Sequence, residues 1–238
     1  MKLVVAATAF AALVSGTAVA ADLSRPVMKA APMAPVTSWT GCYIGAQVGG
    51  QWGRDHTAEY ITATGAFNNF NQHFNSDGFV GGGHIGCTWQ TGVWVWGLEG
   101  DFEGASVDGG YRLANLNGTD FNLDWQGSIR GRLGWAIDRT LFYATGGVSF
   151  ASLEYTYVAT NTVFESFKDT QVGWTIGAGI EHAFAGNWTA RIEYRFTDYG
   201  TISNNSLVAF PGFTYKHDPE FHAVRGYLTY RFGGPGRY

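Results

Sequence analysis

Residues 121–152 read FNLDWQGSIRGRLGWAIDRTLFYATGGVSFAS, and apolar side chains recur there at every second position. A period of two is typical of a β-strand whose two faces meet different surroundings. The alternation is interrupted at residues 136–140, which predict a tight turn. The stretch therefore predicts a β-hairpin made of strands 121–135 and 141–152.

The same alternation marks six more segments, and the lengths of the connections indicate their arrangement. The predicted strands cover residues 40–52, 78–90, 93–106, 121–135, 141–152, 171–184, 188–199 and 221–232. Tight connections at 90–92, 136–140 and 185–187 alternate with long polar ones at 53–77, 107–120, 153–170 and 200–220. Short turns at one end and long loops at the other are typical of outer-membrane barrels. We therefore predict an all-β fold, an eight-stranded antiparallel up-and-down transmembrane β-barrel over residues 39–232.

Each predicted strand has one apolar face and one face that carries ionisable groups. Apolar residues such as Ile44, Leu98 and Ile129 suit contact with lipid, where one charge at the midplane would cost about 2–4 kcal/mol. A water-soluble β-sandwich that buries its apolar faces would show the same division. The residues predicted to form a charge network in the lumen are Glu99, Asp101, Glu103, Asp124, Glu181, Glu193, Arg130, Arg132, Arg191, Arg195, Arg225 and Arg231.

The placement of aromatic residues favours the barrel over the sandwich. Aromatic side chains flank the tight turns, and others follow 8 or 10 residues further along the apolar faces. At about 3.3 Å per residue and a tilt near 40°, this spacing spans roughly 20–25 Å of membrane, the separation of two aromatic girdles. The predicted girdle residues are Phe79, Trp89, Trp94, Phe102, Trp125, Trp135, Phe142, Phe150, Trp174, Phe184, Trp188, Phe196 and Phe232.

The composition excludes several other classes of protein. Glycine supplies 34 of the 238 residues, which disfavours a helical globule, and abundant aromatics with only 14% charged residues exclude intrinsic disorder. The net charge of −4 provides no basic surface for nucleic acid. After the N-terminal region no apolar run reaches 18 residues, which excludes a bundle of membrane helices.

The N-terminus predicts export from the cytoplasm. Lys2 precedes an apolar run over 3–14 and the small-x-small site Ala18-Val19-Ala20, the pattern of a cleaved signal peptide at 1–20. A retained anchor helix is the alternative. Residues 21–38 contain three of the six prolines and predict a flexible periplasmic leader, and residues 233–238 follow the last strand as a C-terminal tail.

Several motifs together resemble one family. They are ADL at 21–23, WTGCYIG at 39–45, GLEGDF at 97–102, GRLGW at 131–135 and RTLFYATGG at 139–147. The chain resembles the outer-membrane immunogenic protein family, porin-like eight-stranded barrels of alphaproteobacteria. The resemblance implies an integral location in the Gram-negative outer membrane, among its lipids and lipopolysaccharide, and insertion by the barrel-assembly machinery. The family usually ends its last strand at the C-terminus, whereas here Phe232 is followed by the tail, so that machinery would read Tyr230-x-Phe232 internally.

The predicted interior limits the function. Eight strands enclose a space that side chains fill, whereas wide channels use 16 or more strands. The ionic groups inside would then either rigidify the barrel as a salt-bridge network or leave a narrow, gated path for ions or solutes. We therefore expect a structural and surface-exposed role in the envelope, as a surface antigen, with at most a narrow porin-like permeability.

Two cysteines lie on the first predicted hairpin. If residues whose numbers sum to 129 face each other, Cys42 lies opposite Cys87, within reach of a disulfide. Export places both cysteines where a disulfide persists. The sequence therefore predicts a cross-strand disulfide near the periplasmic rim, the alternative being two free thiols.

The predicted loops are where external partners, including host ligands, would bind. His56, His73 and Tyr215 lie in or beside them and could ligate haem iron, so haemin binding is an alternative function. The G-x-G-x-x-G match at 81–86 lies within a strand pattern and predicts no nucleotide site. We find no metal-ligand spacing and no nucleophile with a base in register, and we predict neither a cofactor nor an enzyme.

Overall fold

The computed structural model describes residues 37–160 and 162–232, so the predicted signal peptide, most of the leader and the tail at 233–238 lie outside the described residues. Within the described residues, no helix is long and apolar enough to cross a membrane. The residues that the structure describes form ten strands: β1 (Gly41–Ile61), β2 (Phe67–Thr91), β3 (Trp94–Arg112), β4 (Gly118–Ile137), β5 (Thr140–Ala159), β6 (Val163–Ala185), β7 (Trp188–Asp198), β8 (Ile202–Ser206), β9 (Phe213–His217) and β10 (Glu220–Phe232).

Eight of the strands close into a ring, which confirms the predicted barrel. Strands β1 to β7 pair in sequence order, β7 pairs with β10, and β10 returns to β1, all antiparallel. The three tight turns are two-residue connections at 92–93, 138–139 and 186–187. Gly92, Asp138 and Gly186 adopt positive φ angles of 61°, 51° and 53° there, as two-residue hairpin turns require. We place this end in the periplasm because short turns face that side in such barrels.

The four connections predicted as long loops are mostly strand, and that part of the prediction was wrong. Strands β1 and β2 continue until a short turn at 62–66, and β3 and β4 until one at 113–117, while β5 ends at Ala159 and β6 begins at Val163. In the fourth connection β8 and β9 form a hairpin, and β9 pairs with the upper part of β1. Beyond the membrane these strands face water on the outside, so their apolar residues point inward and the phase of the pattern is inverted.

In β4, a β-bulge exchanges the inward-facing and outward-facing positions of the strand. Register shifts at Asp124, so that Asp124 and Trp125 both point outward while Leu123 points into the barrel, where it is buried. Leu123 lay on the lipid-facing side of the predicted pattern, and Asp124 on the lumen side. A bulge exchanges the two faces because one extra residue shifts the alternation by one position.

The barrel interior has three layers. On the extracellular side of the upper girdle, the ring of outer-face aromatics that includes Phe79 and Phe102, lies an interior aromatic layer that includes Phe121, Tyr155 and Phe221. Ionic groups fill the middle. At the periplasmic end a smaller apolar layer surrounds Trp39, which is fully buried against Val95 and Leu141 among others.

Candidate functional site

Eleven of the twelve charged side chains predicted for the lumen are buried inside the barrel. They are Glu99, Asp101 and Glu103 of β3, Arg130 and Arg132 of β4, Glu181 of β6, Arg191, Glu193 and Arg195 of β7, and Arg225 and Arg231 of β10. They share the inner face because residues two apart in a strand point to the same side. Inward glycines make room for the large side chains: a Cβ at Gly179 would lie 2.6 Å from the Tyr143 hydroxyl.

The twelfth residue, Asp124, is on the outer surface, contrary to the prediction. The bulge in β4 turns its carboxylate outward, where it pairs with the exposed Lys168 of β6. Asp124 therefore belongs to the extracellular surface. Among the described residues, the barrel interior buries six guanidinium groups and six carboxylates, namely the five that were predicted and Asp55.

A central group of three acids and three bases is fully interconnected. Its members are Glu99, Asp101, Glu193, Arg130, Arg191 and Arg195. Arg130 reaches all three carboxylates, with nitrogen–oxygen distances of 2.6, 3.0 and 2.8 Å. Arg191 donates to Glu99 from both terminal nitrogens. Arg195 lies 3.1 Å from Asp101 and from Glu193. This group is balanced in charge.

Smaller groups lie on either side of the central one. Toward the extracellular end, Arg225 binds Glu103 through Nε at 2.8 Å, and Gln126 donates to the same carboxylate. Toward the periplasm, Glu181 pairs with Arg132, and its other oxygen lies 3.5 Å from Arg231. The first group is a one-to-one pair, whereas the second is joined to the central group, because Arg132 Nη1 also lies 4.0 Å from the Glu99 carboxylate.

Trp39 closes the periplasmic end, a role that the sequence did not reveal. Its carbonyl oxygen accepts hydrogen bonds from Arg231 and Thr88, and its backbone N–H donates to Gln90 at 2.8 Å. The residue precedes β1, so no strand pattern pointed to it.

The extracellular layer contains a buried polar chain that was also missed. Tyr155 donates to Asp55 at 2.6 Å, and the ring of His217 lies between Thr57 and Tyr157, with Nδ1 and Nε2 at 3.0 and 2.7 Å from their hydroxyl oxygens. Burial, and next to it the Asp55 carboxylate, raises the pKa of Tyr155 well above its usual value. In the sequence, the apolar residues at 153, 155 and 157 fall on the opposite face from those at 142, 144, 148 and 150, and this change could have indicated the buried layer.

The three residues considered for haemin do not form one site. His56 and His73 lie side by side on the outer face, with ring centroids 4.6 Å apart. Tyr215 lies on the inner face, stacked on Tyr157 with its hydroxyl donating to Glu59. The strand wall separates the tyrosine from the histidines, because alternate residues of β1 and β9 face opposite sides.

The predicted disulfide joins Cys42 and Cys87, which are directly opposite in the β1–β2 register. All thirteen predicted girdle residues lie on the outer face and are exposed or half-buried. Some stack between neighbouring strands, as Phe102 does on Trp125 with ring centroids 5.6 Å apart. The outer surface between them is apolar.

Comparisons with known proteins agree with this architecture. A family model described as the outer membrane protein beta-barrel domain matches residues 8–232. The chain is 34% identical to the 31 kDa outer-membrane immunogenic protein of Brucella melitensis, covering 98% of this chain and 100% of that protein. It is 33% identical to a 22 kDa outer membrane protein of Rhizobium leguminosarum, covering 71% and 68%. Among solved structures, Pseudomonas aeruginosa OprG matches with a TM-score of 0.51 at 11% identity, over 82% of this chain and 98% of that one.

Proposed function

Because this chain belongs to the outer membrane protein β-barrel domain family, we propose that it serves the cell envelope as a closed, surface-exposed structural barrel. Its place is the outer membrane, as for its relatives, with the apolar outer face in contact with lipid. The finer part of the proposal is that the barrel conducts neither ions nor solutes at a useful rate.

The barrel interior is filled by side chains in all three layers, and this filling is the main support for the proposal. Aromatic side chains occupy the extracellular end, interconnected ion pairs the middle, and Trp39 the periplasmic end. A solute would have to displace apolar side chains twice and break buried ion pairs between them. Breaking one buried pair typically costs about 3–5 kcal/mol, so the network favours a rigid plug over a path.

Conductance of the refolded mature chain in planar bilayers tests the proposal. We expect no discrete channel events. A double variant, Trp39→Ala with Leu141→Ala, opens the periplasmic layer and should also remain silent, because the ionic layer still blocks the lumen. Stepwise conductance that changes when Arg130 is replaced by alanine would instead support the narrow path.

Further roles follow from the same proposal. We assign insertion to the barrel-assembly machinery reading Tyr230-x-Phe232, and contact with lipopolysaccharide to the outer surface around and above the upper girdle. External partners would bind the turns at the tip of the extracellular strands. We assign no catalysis, because the polar chain from Asp55 through His217 to Tyr157 is buried and gives a substrate no access.

A further inference from the structure

Part of the extracellular wall is a strand edge that pairs with no other strand. Residues 163–173 of β6 form a ladder with β5 on one side, but pairing with β7 begins only at Trp174. Strand β8 lies across from this part of β6, where Ser206 donates to Glu165, and β8 pairs only with β9. Within residues 37–160 and 162–232 the sheet is therefore interrupted between β6 and β8, and we call this interruption the β6–β8 gap.

The edge of β6 is the longest free edge in the described part of the chain. Residues 67–75 of β2 also pair on one side only, with β1. Their backbone is irregular, because Asn69 has a positive φ of 55° and the register with β1 shifts near Tyr60. Residues 163–173 pair with β5 without a register shift, so their free side is a regular template for another strand.

The side chain of Asp169 shows which backbone groups face the gap. Its Oδ1 accepts a hydrogen bond from the N–H of Thr170 at 2.8 Å, so that N–H is directed away from β5. Neighbouring residues of a strand direct their N–H and C=O groups to opposite sides, so the backbone groups of residues 164, 166, 168, 170 and 172 face the gap. These are the groups that an added strand would use.

Water reaches the gap at the level of Asp169. This residue is on the inner face of β6, opposite Leu153 of β5, yet it is exposed, whereas Leu153 is only 2% exposed. Its two carboxylate oxygens bind the adjacent Thr170 and Gln171, and no cation in the part of the chain that the structure describes. The gap therefore presents an accessible negative charge next to the free backbone groups.

Apolar side chains are exposed at the extracellular end of the gap. The exposed fractions of Phe164, Leu207 and Val208 are 58%, 77% and 60%. They lie near one another because Glu165 accepts hydrogen bonds from the backbone N–H groups of Leu207 and Val208. Apolar surface of this kind beside a free edge is typical of a protein interaction site.

We propose that the β6–β8 gap binds an extended basic peptide, which adds as a strand to the free edge of β6. Its backbone pairs with the gap-facing residues, and an inward-pointing lysine or arginine pairs with Asp169. The carboxylate also selects the partner, because an inward charge on an edge disfavours pairing with an apolar strand. Two strand spacings are about 9–10 Å, a distance greater than the reach of the Glu165 side chain. The peptide therefore displaces β8 from Glu165 and moves the β8–β9 hairpin outward.

Binding of a labelled peptide to the full mature chain in zwitterionic detergent tests the proposal. The probe alternates valine and lysine and is as long as the free edge, and fluorescence anisotropy measures its dissociation constant. Thr170→Pro removes one gap-facing N–H and leaves the β5 ladder intact, so it should weaken binding about tenfold or more. Thr170→Val keeps that N–H and is the matched control, for which we expect unchanged binding. Equal binding to Thr170→Pro and to the wild-type chain would overturn the proposal.

Two further variants test the two acids separately. Asp169→Asn should weaken binding of the lysine probe, and it should leave unchanged the binding of a probe in which threonine replaces lysine. Glu165→Gln weakens the attachment of the β8–β9 hairpin, so it should tighten binding of the lysine probe. Unchanged affinity in both variants would contradict the assignment.

Hydrogen exchange locates the bound peptide. We expect slower exchange of the backbone amides of residues 164, 166, 168 and 172 in the complex, with little change at 165, 167 and 171, whose amides face β5. Protection of residues 67–75 of β2, or of the turn at 62–66, would place the peptide elsewhere and reject the gap as its site.

Discussion

Arg130 illustrates how a charge is held without solvent inside this barrel. Its side chain is fully buried, and its terminal nitrogens contact Glu99, Asp101 and Glu193. Each carboxylate is shared with another arginine, so no carboxylate in the central group depends on one partner. Charge-assisted hydrogen bonds of this kind are short and fix the geometry of both partners.

Removing Arg130 should therefore be far more harmful than removing an exposed arginine. Arg130→Met leaves three buried carboxylates with too little positive charge, and we expect a loss of about 3–5 kcal/mol in the free energy of unfolding. Arg112→Gln, which removes an exposed pair with Asp120, should change it by about 0–1 kcal/mol. Urea titration of both variants in detergent measures the difference. Similar values for the two would mean that the network does not stabilise the barrel.

At the scale of elements, Glu165 of β6 holds the β8–β9 hairpin onto the extracellular wall. Its carboxylate accepts hydrogen bonds from the Ser206 hydroxyl and from the backbone N–H groups of Leu207, Val208 and Ala209. Strands β6 and β8 are not paired to each other. The side chain therefore replaces a strand ladder at this seam.

Acid should release this contact. Slight burial acts to raise the pKa of Glu165, but the hydrogen bonds outweigh it and hold the pKa below the usual 4.5. A lowered folded-state pKa means that the stabilisation is complete above the ordinary value and is lost as the pH falls through the lowered one. NMR shifts of the amides of 207–209 should titrate with a midpoint below 4.5. They should lose that transition in Glu165→Gln and retain it in Glu154→Gln.

The membrane-spanning elements were predictable because lipid imposes a strict rule on every second residue. Ile44, Leu98 and Ile129 meet acyl chains, so the outer face excludes charge over each span. Above the girdle the outer face of each strand is in water, so the apolar residues point inward. A search for apolar residues on the outer face alone therefore misses the extracellular extension of the strands. The bulge at Asp124 also escaped prediction, since it depends on pairing with both neighbouring strands, which one strand's residues do not specify.

The lumen residues were predictable in their position but not in their pairing. Alternation placed eleven charges on the inner face, but it does not specify partners across the barrel. Arg191 of β7 pairs with Glu99 of β3. These two strands are not neighbours in the sheet, so only closure of the ring brings the two side chains together.

At the scale of the whole molecule, one continuous sheet faces lipid over part of its height and water over the rest. Between the girdles its outside is apolar and its inside ionic, and above them its outside is polar and its inside aromatic. Continuity of the ring depends on the seam between the first and last strands. The β1–β10 ladder runs from Cys42 opposite Phe232 to Arg54 opposite Glu220 and closes the barrel.

The disulfide lies beside that seam, and its contribution can be separated from closure itself. Cys42 is paired with Phe232 on one side and bonded to Cys87 on the other, across a sequence separation of 45 residues. Closing a loop of that length in the unfolded chain should stabilise the fold by about 4 kcal/mol in the chain-entropy model. The double variant Cys42→Ser with Cys87→Ser should still fold as a closed barrel, because the β1–β2 and β1–β10 ladders remain. Urea unfolding should show its lower stability under oxidising conditions and near-equality with the wild-type chain under reductant. A double variant that fails to form the barrel at all would mean that the covalent link, rather than the two ladders, secures the first strand.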